Sequence, residues 1–391
     1  VNERIEWGHR LFQHLRLNAD RAAVSVAGIL SLIRYRKSKR YRRDKQNLAK
    51  PGNRPRLLSI EIGGLGDLTR ITPFRETLRG AYQGSHLTVI THERNRPFFQ
   101  WASTPDSLLL FKPSHRSFTG KLLFFLALQC SGRYDVTADF TGSYFSAWIT
   151  RLSGARLSAG SPREGFSGFY TTPVPRRRDR PLADHYTSLL RAVGVRDAPP
   201  SAAGVRRVLL KDTDTHQPHI IIHPGSGWPG RRWPGRHWAT LIRELALRTG
   251  GRISVTGGAG EAELAGEVAG AGGSGVTNLA GKLSFPELAA LLTNAYLFIS
   301  ANVGPMHLAR AVGCPTVTLF GPYSPVETGY PGDRSHTAVT RSLPCSPCGT
   351  YTHTPVCRHF SCLRGIAVED VLDAALQTLN RYGALGKEAV P

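Results

Sequence analysis

The chain has 391 residues, which at roughly 150 per domain points to two or three domains. Apolar residues make up 41%, enough for packed cores, so a chain disordered throughout is excluded. Lys and Arg number 50 against 28 Asp and Glu, and the net charge of +22 implies an anionic partner: a phosphorylated ligand, nucleic acid or an acidic membrane face.

Residues 1–54 read as an arm. Ile5, Trp7, Leu11, Phe12, Leu15 and Leu17 follow the spacing of an amphipathic helix. The longest apolar run, Ala22 to Ile33, is shorter than the 18 or so residues of a membrane span and holds two serines. The main basic block follows this run, whereas a secretory signal carries its charge first, so a cytoplasmic protein is expected. Residues 34–50 hold nine basic residues and one acid, Asp44. That block reads as a solvated charged helix or as an anchor on anionic lipid. Tyr35 and Tyr41 among the basic residues admit nucleic acid as a third reading, but no nucleic-acid module accompanies them, and none is expected as a partner.

From residue 55 to 204 the composition is that of an α/β domain. Arg56 to Ile62 reads as a strand, Gly63-Gly-Leu-Gly66 as a turn, and Asp67 to Arg79 as a helix. Leu87–Thr91 and Asp135–Phe140 are further strands, and a helical stretch surrounds His185 to Val193. Pro199-Pro-Ser-Ala-Ala-Gly204 is the linker candidate. From 205 to 391 the pattern restarts. Strands are expected at His219–His223, Ile253–Thr256, Leu297–Ser300 and Thr316–Phe320, with helices at Trp238–Arg248, Glu261–Ala269, Phe285–Ala295 and Met306–Val312. Such alternation implies two doubly wound parallel sheets with a ligand cleft between them at the carboxyl ends of their strands.

Three strands end in glycine-rich turns, at Gly63–Asp67, Pro224–Gly227 and Gly257–Gly260. Backbone N–H groups at such turns, and at the helix starts after them, bind phosphate. None is a Walker loop or a full dinucleotide fingerprint. Asp67 sits where a helix begins, and reads either as an N-cap or as an exposed carboxylate able to serve as general base. Arg231 follows the second turn and can pair with phosphate, or belong to a plain basic surface. His307 stands beside a helix N-terminus and can donate to phosphate, or pack as a core histidine.

These residues carry a resemblance. Leu57-Leu-Ser-Ile-Glu-Ile-Gly-Gly-Leu-Gly-Asp-Leu-Thr-Arg-Ile-Thr-Pro73 resembles the opening motif of glycosyltransferase family 9, which contains the ADP-heptose:lipopolysaccharide heptosyltransferases. The second half agrees in order and spacing. It has His223-Pro-Gly-Ser-Gly, Arg231-Arg-Trp-Pro, Gly257-Gly with Glu261, Asn278-Leu-Ala-Gly-Lys, Gly304-Pro-Met-His-Leu-Ala309 and Leu319-Phe-Gly-Pro322. The resemblance covers about residues 55–380 and leaves out the arm.

What the resemblance implies is a GT-B fold: two Rossmann-like domains, the first binding acceptor and the second the nucleotide-sugar donor. It implies inverting transfer without a catalytic metal, onto a lipopolysaccharide-type or other anionic glycolipid at the inner face of the cytoplasmic membrane. Asp67 matches the catalytic base, with Gly63, Gly64 and Gly66 forming its loop. Arg231, usually Lys in the family, matches the group that neutralises the leaving diphosphate. Ser226 and Gly227 match donor phosphate contacts, Glu261 the acid near the ribose, and Gly304 and His307 the diphosphate and sugar contacts.

One departure stands out. The family usually has Asp then Ser or Thr before Gly-Pro-Met-His, and here the pair is Asn302 and Val303. A carboxylate that only accepts hydrogen bonds becomes an amide that also donates, and one hydroxyl is lost. This departure is what a second reading has in its favour, a non-catalytic nucleotide-sugar-binding or assembly protein on the same scaffold. Cys345, Cys348, Cys357 and Cys362 are spaced to permit a structural Zn site, and equally read as reduced thiols or local disulfides. Cys130 and Cys314 read as core residues.

Overall fold

A computed structural model describes residues 54–102, 104–196, 218–349, 357 and 359–382. The basic arm, the Pro199–Gly204 linker and the middle of the cysteine-rich loop lie outside the described residues.

The first half alternates strand and helix: β1 (Arg56–Ile60), α1 (Leu65–Ala81), β2 (His86–His92), α2 (Arg96–Trp101), β3 (Ser107–Phe111), α3 (Phe118–Cys130), β4 (Val136–Asp139), α4 (Tyr144–Leu152), β5 (Leu157–Gly160), β6 (Thr172–Pro173) and α5 (Leu182–Ala192). Every strand pairing is parallel, in the order β3-β2-β1-β4-β5-β6. β1 is central, and Leu57, Leu58 and Ile60 are fully buried, as expected for a strand covered on both faces. Helices α1 and α5 close one face through Leu68, Ile71, Phe74, Tyr186 and Leu189. Helices α3 and α4 close the other through Phe124, Leu128 and Ile149.

The second half repeats the plan: β7 (His219–His223), α6 (Gly235–Thr249), β8 (Arg252–Val255), α7 (Ala262–Gly270), β9 (Val276–Asn278), α8 (Phe285–Thr293), β10 (Leu297–Ala301), α9 (Gly304–Ala311), β11 (Thr316–Phe320), α10 (Pro325–Thr328), β12 (His336–Thr340), α11 (Ser361–Arg364) and α12 (Val368–Arg381). The parallel sheet runs β12-β11-β10-β7-β8-β9. In α6, Trp238, Leu241, Ile242 and Leu245 recur at helical spacing and form the buried stripe. Trp238 meets Trp233 edge-on at 4.9 Å, and the Trp233 indole N–H donates to the Ile366 carbonyl, which ties the α11–α12 connection to this core.

In each sheet the strand order reverses beside the central strand, at β1/β4 and at β7/β10, and crevices open at such points. Among the described residues, several contacts hold the halves together. The start of α1 lies against the start of α9. Phe285 packs between Phe98 and Trp101, at 5.4 and 5.0 Å. Arg176, beyond β6, pairs with the buried Glu327 of α10 at 2.8 Å.

The expected strands and helices occur, with shifted ends. α1 begins at Leu65, with Gly64 as its N-cap, so Asp67 is the third residue of the helix and not its cap. Cys314 is buried, but Cys130 is exposed: it ends α3 on the side turned away from the sheet, where no core reaches it. Among the described residues no helix is long and apolar enough to cross a membrane.

Candidate active site

The loop between β1 and α1 supplies the one acid that lines the cleft among the described residues. The Gly64 backbone N–H donates to Asp67 Oδ2 at 2.9 Å, and Arg70, one turn on, donates to Oδ1 at 2.6 Å. The carboxylate therefore fastens the helix start and is held in a fixed rotamer. A Cβ at position 63 would lie 2.6 Å from Asp67 Oδ2, so only glycine lets the loop close over this side chain. The next glycine has another duty. A Cβ at position 66 would lie 2.7 Å from both Gly304 Cα and His307 Cδ2. Gly66 and Gly304 thus allow two helix starts, one from each half, to touch.

The second half presents donors. α9 follows β10 through Asn302 and Val303, with Val303 as its N-cap in extended backbone and Pro305 in its first turn. The positive end of α9 faces the cleft, where it favours an anion. His307 is buried, and its Nδ1 lies 2.7 Å from the Tyr330 hydroxyl. Burial first, and then the charges of Arg70, His336, Arg231 and Arg310, hold the imidazole well below its ordinary range, so it is neutral at pH 7. Burial pushes the Tyr330 hydroxyl up to about 12, so it keeps its proton.

Arg231 stacks on the Tyr323 ring, 4.3 Å from its centroid, and its buried Nε meets no hydrogen-bond acceptor among the described residues. Burial pulls this guanidinium below its usual range, opposed by Tyr323 and Asp67, but arginine remains charged. Asn302 donates through Nδ2 to Thr328 Oγ1 at 2.9 Å, and Thr328 Oγ1 donates in turn to the Ser324 carbonyl at 3.1 Å. A carboxylate at 302 has no proton for that first bond, so the departure from the family pattern fits its surroundings.

A cleft of about 510 Å³ lies between the halves. It gathers Gly63, Gly64, Gly66, Asp67, Arg231, Asn302, Val303, Gly304 and His307 from among the expected site residues. Arg70, Thr141, Arg163, Tyr323 and Thr328 also line it and were not singled out from the sequence. Arg70 was within reach of sequence reasoning, one helical turn from Asp67. Thr141 and Arg163 follow β4 and β5, and β5 (Leu-Ser-Ala-Gly) carries no β-branched residue to mark it as a strand.

Ser226, Gly227 and Glu261 do not line this cleft. Ser226 is buried and its Oγ accepts from the Trp228 N–H at 3.2 Å, while Gly227 is exposed. Glu261 caps the turn after β8, accepting from the Gly258 N–H at 2.8 Å, with His223 at 3.6 Å. Together they form a neighbouring shelf at the ends of β7 and β8. Cys345, Cys348, Cys357 and Cys362 are free thiols. Burial and then the Cys345 and Cys357 sulfurs raise the Cys348 thiol, so these sulfurs are neighbours. No three metal-ligating side chains converge among the described residues.

Two parallel doubly wound sheets, facing each other across a cleft at their strand ends, define the GT-B class of fold. A family model described as glycosyltransferase family 9 (heptosyltransferase) matches residues 127–357, more than half the chain, and the chain belongs to that family. Lipopolysaccharide heptosyltransferase 1 of Pseudomonas aeruginosa is 31% identical over 231 residues, covering 57% of this chain and 64% of that protein, just under two thirds of its length. The family 9 glycosyltransferase of Veillonella parvula has a TM-score of 0.69 at 23% identity, covering 84% of this chain and 98% of that one. The E. coli heptosyltransferase WaaC with ADP-2-deoxy-2-fluoro heptose has a TM-score of 0.61 at 21% identity, covering 84% and 99%. At these identities the two structures establish the fold.

Proposed function

We propose that this chain is an inverting, metal-independent glycosyltransferase. It moves a heptose or related sugar from a nucleoside-diphosphate donor to a lipopolysaccharide-type glycolipid, at the inner face of the cytoplasmic membrane. The observation that carries this reading is the meeting of one carboxylate from the first half with cationic and N–H donors from the second across a single cleft. The WaaC structure is described with an ADP-sugar analogue, which supports a donor of that class here.

In this mechanism the acceptor hydroxyl enters beside Asp67, which takes its proton as the oxygen attacks the anomeric carbon. Arg70 and the Gly64 N–H hold the carboxylate still while it does so. The bond to the leaving diphosphate breaks on the opposite face of the sugar. Arg231, the start of α9 and a neutral His307 donate to the phosphate oxygens as negative charge builds there. The orphaned Nε of Arg231 is the group in need of such a partner. Glu261, on its shelf, takes the ribose hydroxyls. Asn302, its Nδ2 bonded to Thr328, lines the cleft in place of the family's carboxylate, which bears on which sugar is taken. The cysteine cluster is assigned to structure, as a Zn site or as reduced thiols, outside the transfer chemistry.

Transfer from ADP-heptose to a deep-rough lipopolysaccharide core tests this. Release of ADP with transfer, undiminished in EDTA, is expected. A protein that binds nucleotide sugars but neither transfers nor hydrolyses any of a panel of donors would replace this reading with the non-catalytic one. Metal analysis of the purified protein, with and without Cys348→Ser, reads the cysteine cluster separately.

A further inference from the structure

Helix α3 is apolar on both sides, and among the described residues only one side has a partner. Its inner residues Phe124 and Leu128 pack with Phe111 and Tyr134 over the sheet. Its outer residues Leu122, Leu123 and Leu126 are 50%, 63% and 53% exposed. Leu126 lies four positions after Leu122 and three after Leu123, so it neighbours both on one side of the helix. A water-facing stripe ordinarily carries Lys, Glu or Arg, yet the sole charged residue of α3 is Lys121. A contiguous exposed apolar stripe of this kind marks a docking surface.

What covers the stripe follows from its two ends. At one end α3 packs on α4 through Phe124, Phe125 and Phe145. Tyr144, which opens α4 and is partly exposed, lies beneath the Arg163 guanidinium at 5.7 Å, and Arg163 lines the cleft. Through α4 the helix is therefore linked to a residue that lines the cleft. At the other end Arg56 donates to the Ser131 and Arg133 carbonyls and pins the start of β1 to the end of α3. The chain enters the fold at that point. Residues 34–50 carry nine basic groups against one acid, and Lys50 is six residues from Arg56. Exposed leucines beside the exposed Lys121, on a chain of net charge +22, match an anionic bilayer surface. A second copy would bring its own +22 to the same place, which opposes self-association through this face.

We infer that α3 is the membrane-docking helix of this protein. Leu122, Leu123 and Leu126 enter the boundary between headgroups and acyl chains of an anionic bilayer, and the cleft rim at Tyr144 and Arg163 is held toward the lipid surface. The purpose of such docking rests on the glycolipid-acceptor reading, while its measurement does not.

The full chain is sedimented with vesicles of phosphatidylethanolamine and phosphatidylglycerol, and with vesicles of phosphatidylcholine alone. Wild-type protein should bind the anionic vesicles. The triple variant Leu122→Gln, Leu123→Gln, Leu126→Gln keeps good helix formers and adds no charge. It should bind them at least about tenfold more weakly. Its ADP affinity and melting temperature should match wild type, which separates lost docking from lost folding. In a Leu126→Trp variant, indole emission should shift to the blue when anionic vesicles are added. Triple-variant binding equal to wild type, or no wild-type binding, would overturn the proposal. So would a concentration-dependent dimer that the triple substitution dissolves in the absence of lipid, which would give the stripe to a second copy. Failure of ADP to bind wild type would sink the glycosyltransferase reading and leave the vesicle result standing.

Discussion

The two halves share one plan but bury charge in opposite ways. In the first, interior acids are occupied by structure. Glu61 accepts from Ser59 at 2.6 Å and from Arg75 at 2.7 Å, with Glu61 and Arg75 both fully buried. Asp139 accepts from Tyr170 at 2.7 Å and from the Thr141 and Gly142 N–H groups. Asp67 is then the one carboxylate among the cleft-lining residues, and it is fixed in place. In the second half the buried acid Glu327 is ion-paired with Arg176, and the other interior titratable groups include histidines kept neutral, His219, His223, His307 and His336, where the first half has His185. A neutral imidazole donates to an anion without adding charge that repels the nearby arginines. One half therefore offers a single proton acceptor, and the other a set of donors for a diphosphate.

If this division is right, the largest effect comes from Asp67. Asp67→Asn retains an oxygen for the Gly64 N–H but gives up the proton acceptor. Turnover should fall about 10²–10⁴-fold. Donor affinity, read by titration with ADP, should hold. Near-normal turnover would leave Asp67 with only its helix-fastening role.

Next comes the seam where the halves touch. Gly66→Ala drives a methyl into Gly304 and His307. Each sheet should keep its fold by circular dichroism while the acid and the donors are pushed apart. A misplacement near 1 Å costs on the order of 10²-fold in rate. Unchanged kinetics would mean that the contact is not needed during turnover.

Arg231→Ala should weaken ADP binding about 10- to 100-fold, since charged hydrogen bonds contribute about 1.5–3 kcal/mol. Arg231→Lys should recover part of that, and Asp67→Asn none of the loss. Equal ADP affinity in Arg231→Ala and wild type would move the phosphate site elsewhere.

The histidines predict a direction with pH. Burial lowers His219 and His336 to about 4, and His223 and His307 are lowered also. Below about 6.5 the unfolded chain takes up protons that the folded chain refuses, so stability is full above that pH and drains as pH falls toward 4. Hydrogen exchange at pH 7.5 and pH 5 should show protection lost first from β7, α9 and β12, which carry these histidines. His336→Phe should flatten the dependence by up to about 1.4 kcal/mol per pH unit. Uniform loss across both halves would erase the contrast. The smallest effect is expected for Asn302→Asp, which removes the bond to Thr328 and should cost about 1 kcal/mol by denaturant titration.

The strands of both sheets that end in glycine turns were legible in the sequence, because buried parallel strands are continuous apolar runs with sharp ends. So were Asp67, Arg231, Gly304 and His307, whose motifs are local: a turn, then a helix start. β3, β5, β6, β9 and β12 were not legible: β5, β6 and β9 are short, and β3 and β12 are edge strands that depend on a single neighbour for their identity. The outer face of α3 was missed for a related reason, since Leu122 and Phe124 look alike until the sheet shows which side it covers. By itself the sequence determined what each turn can do, because phosphate cradling and helix capping depend on residues a few positions apart. Which turns share a cleft was decided only by the tertiary structure. Gly66 and Gly304 meet although 238 positions separate their numbers, and that contact, set by two bare Cα atoms, brings Asp67 to the donors while leaving Ser226 and Glu261 on the shelf beside them.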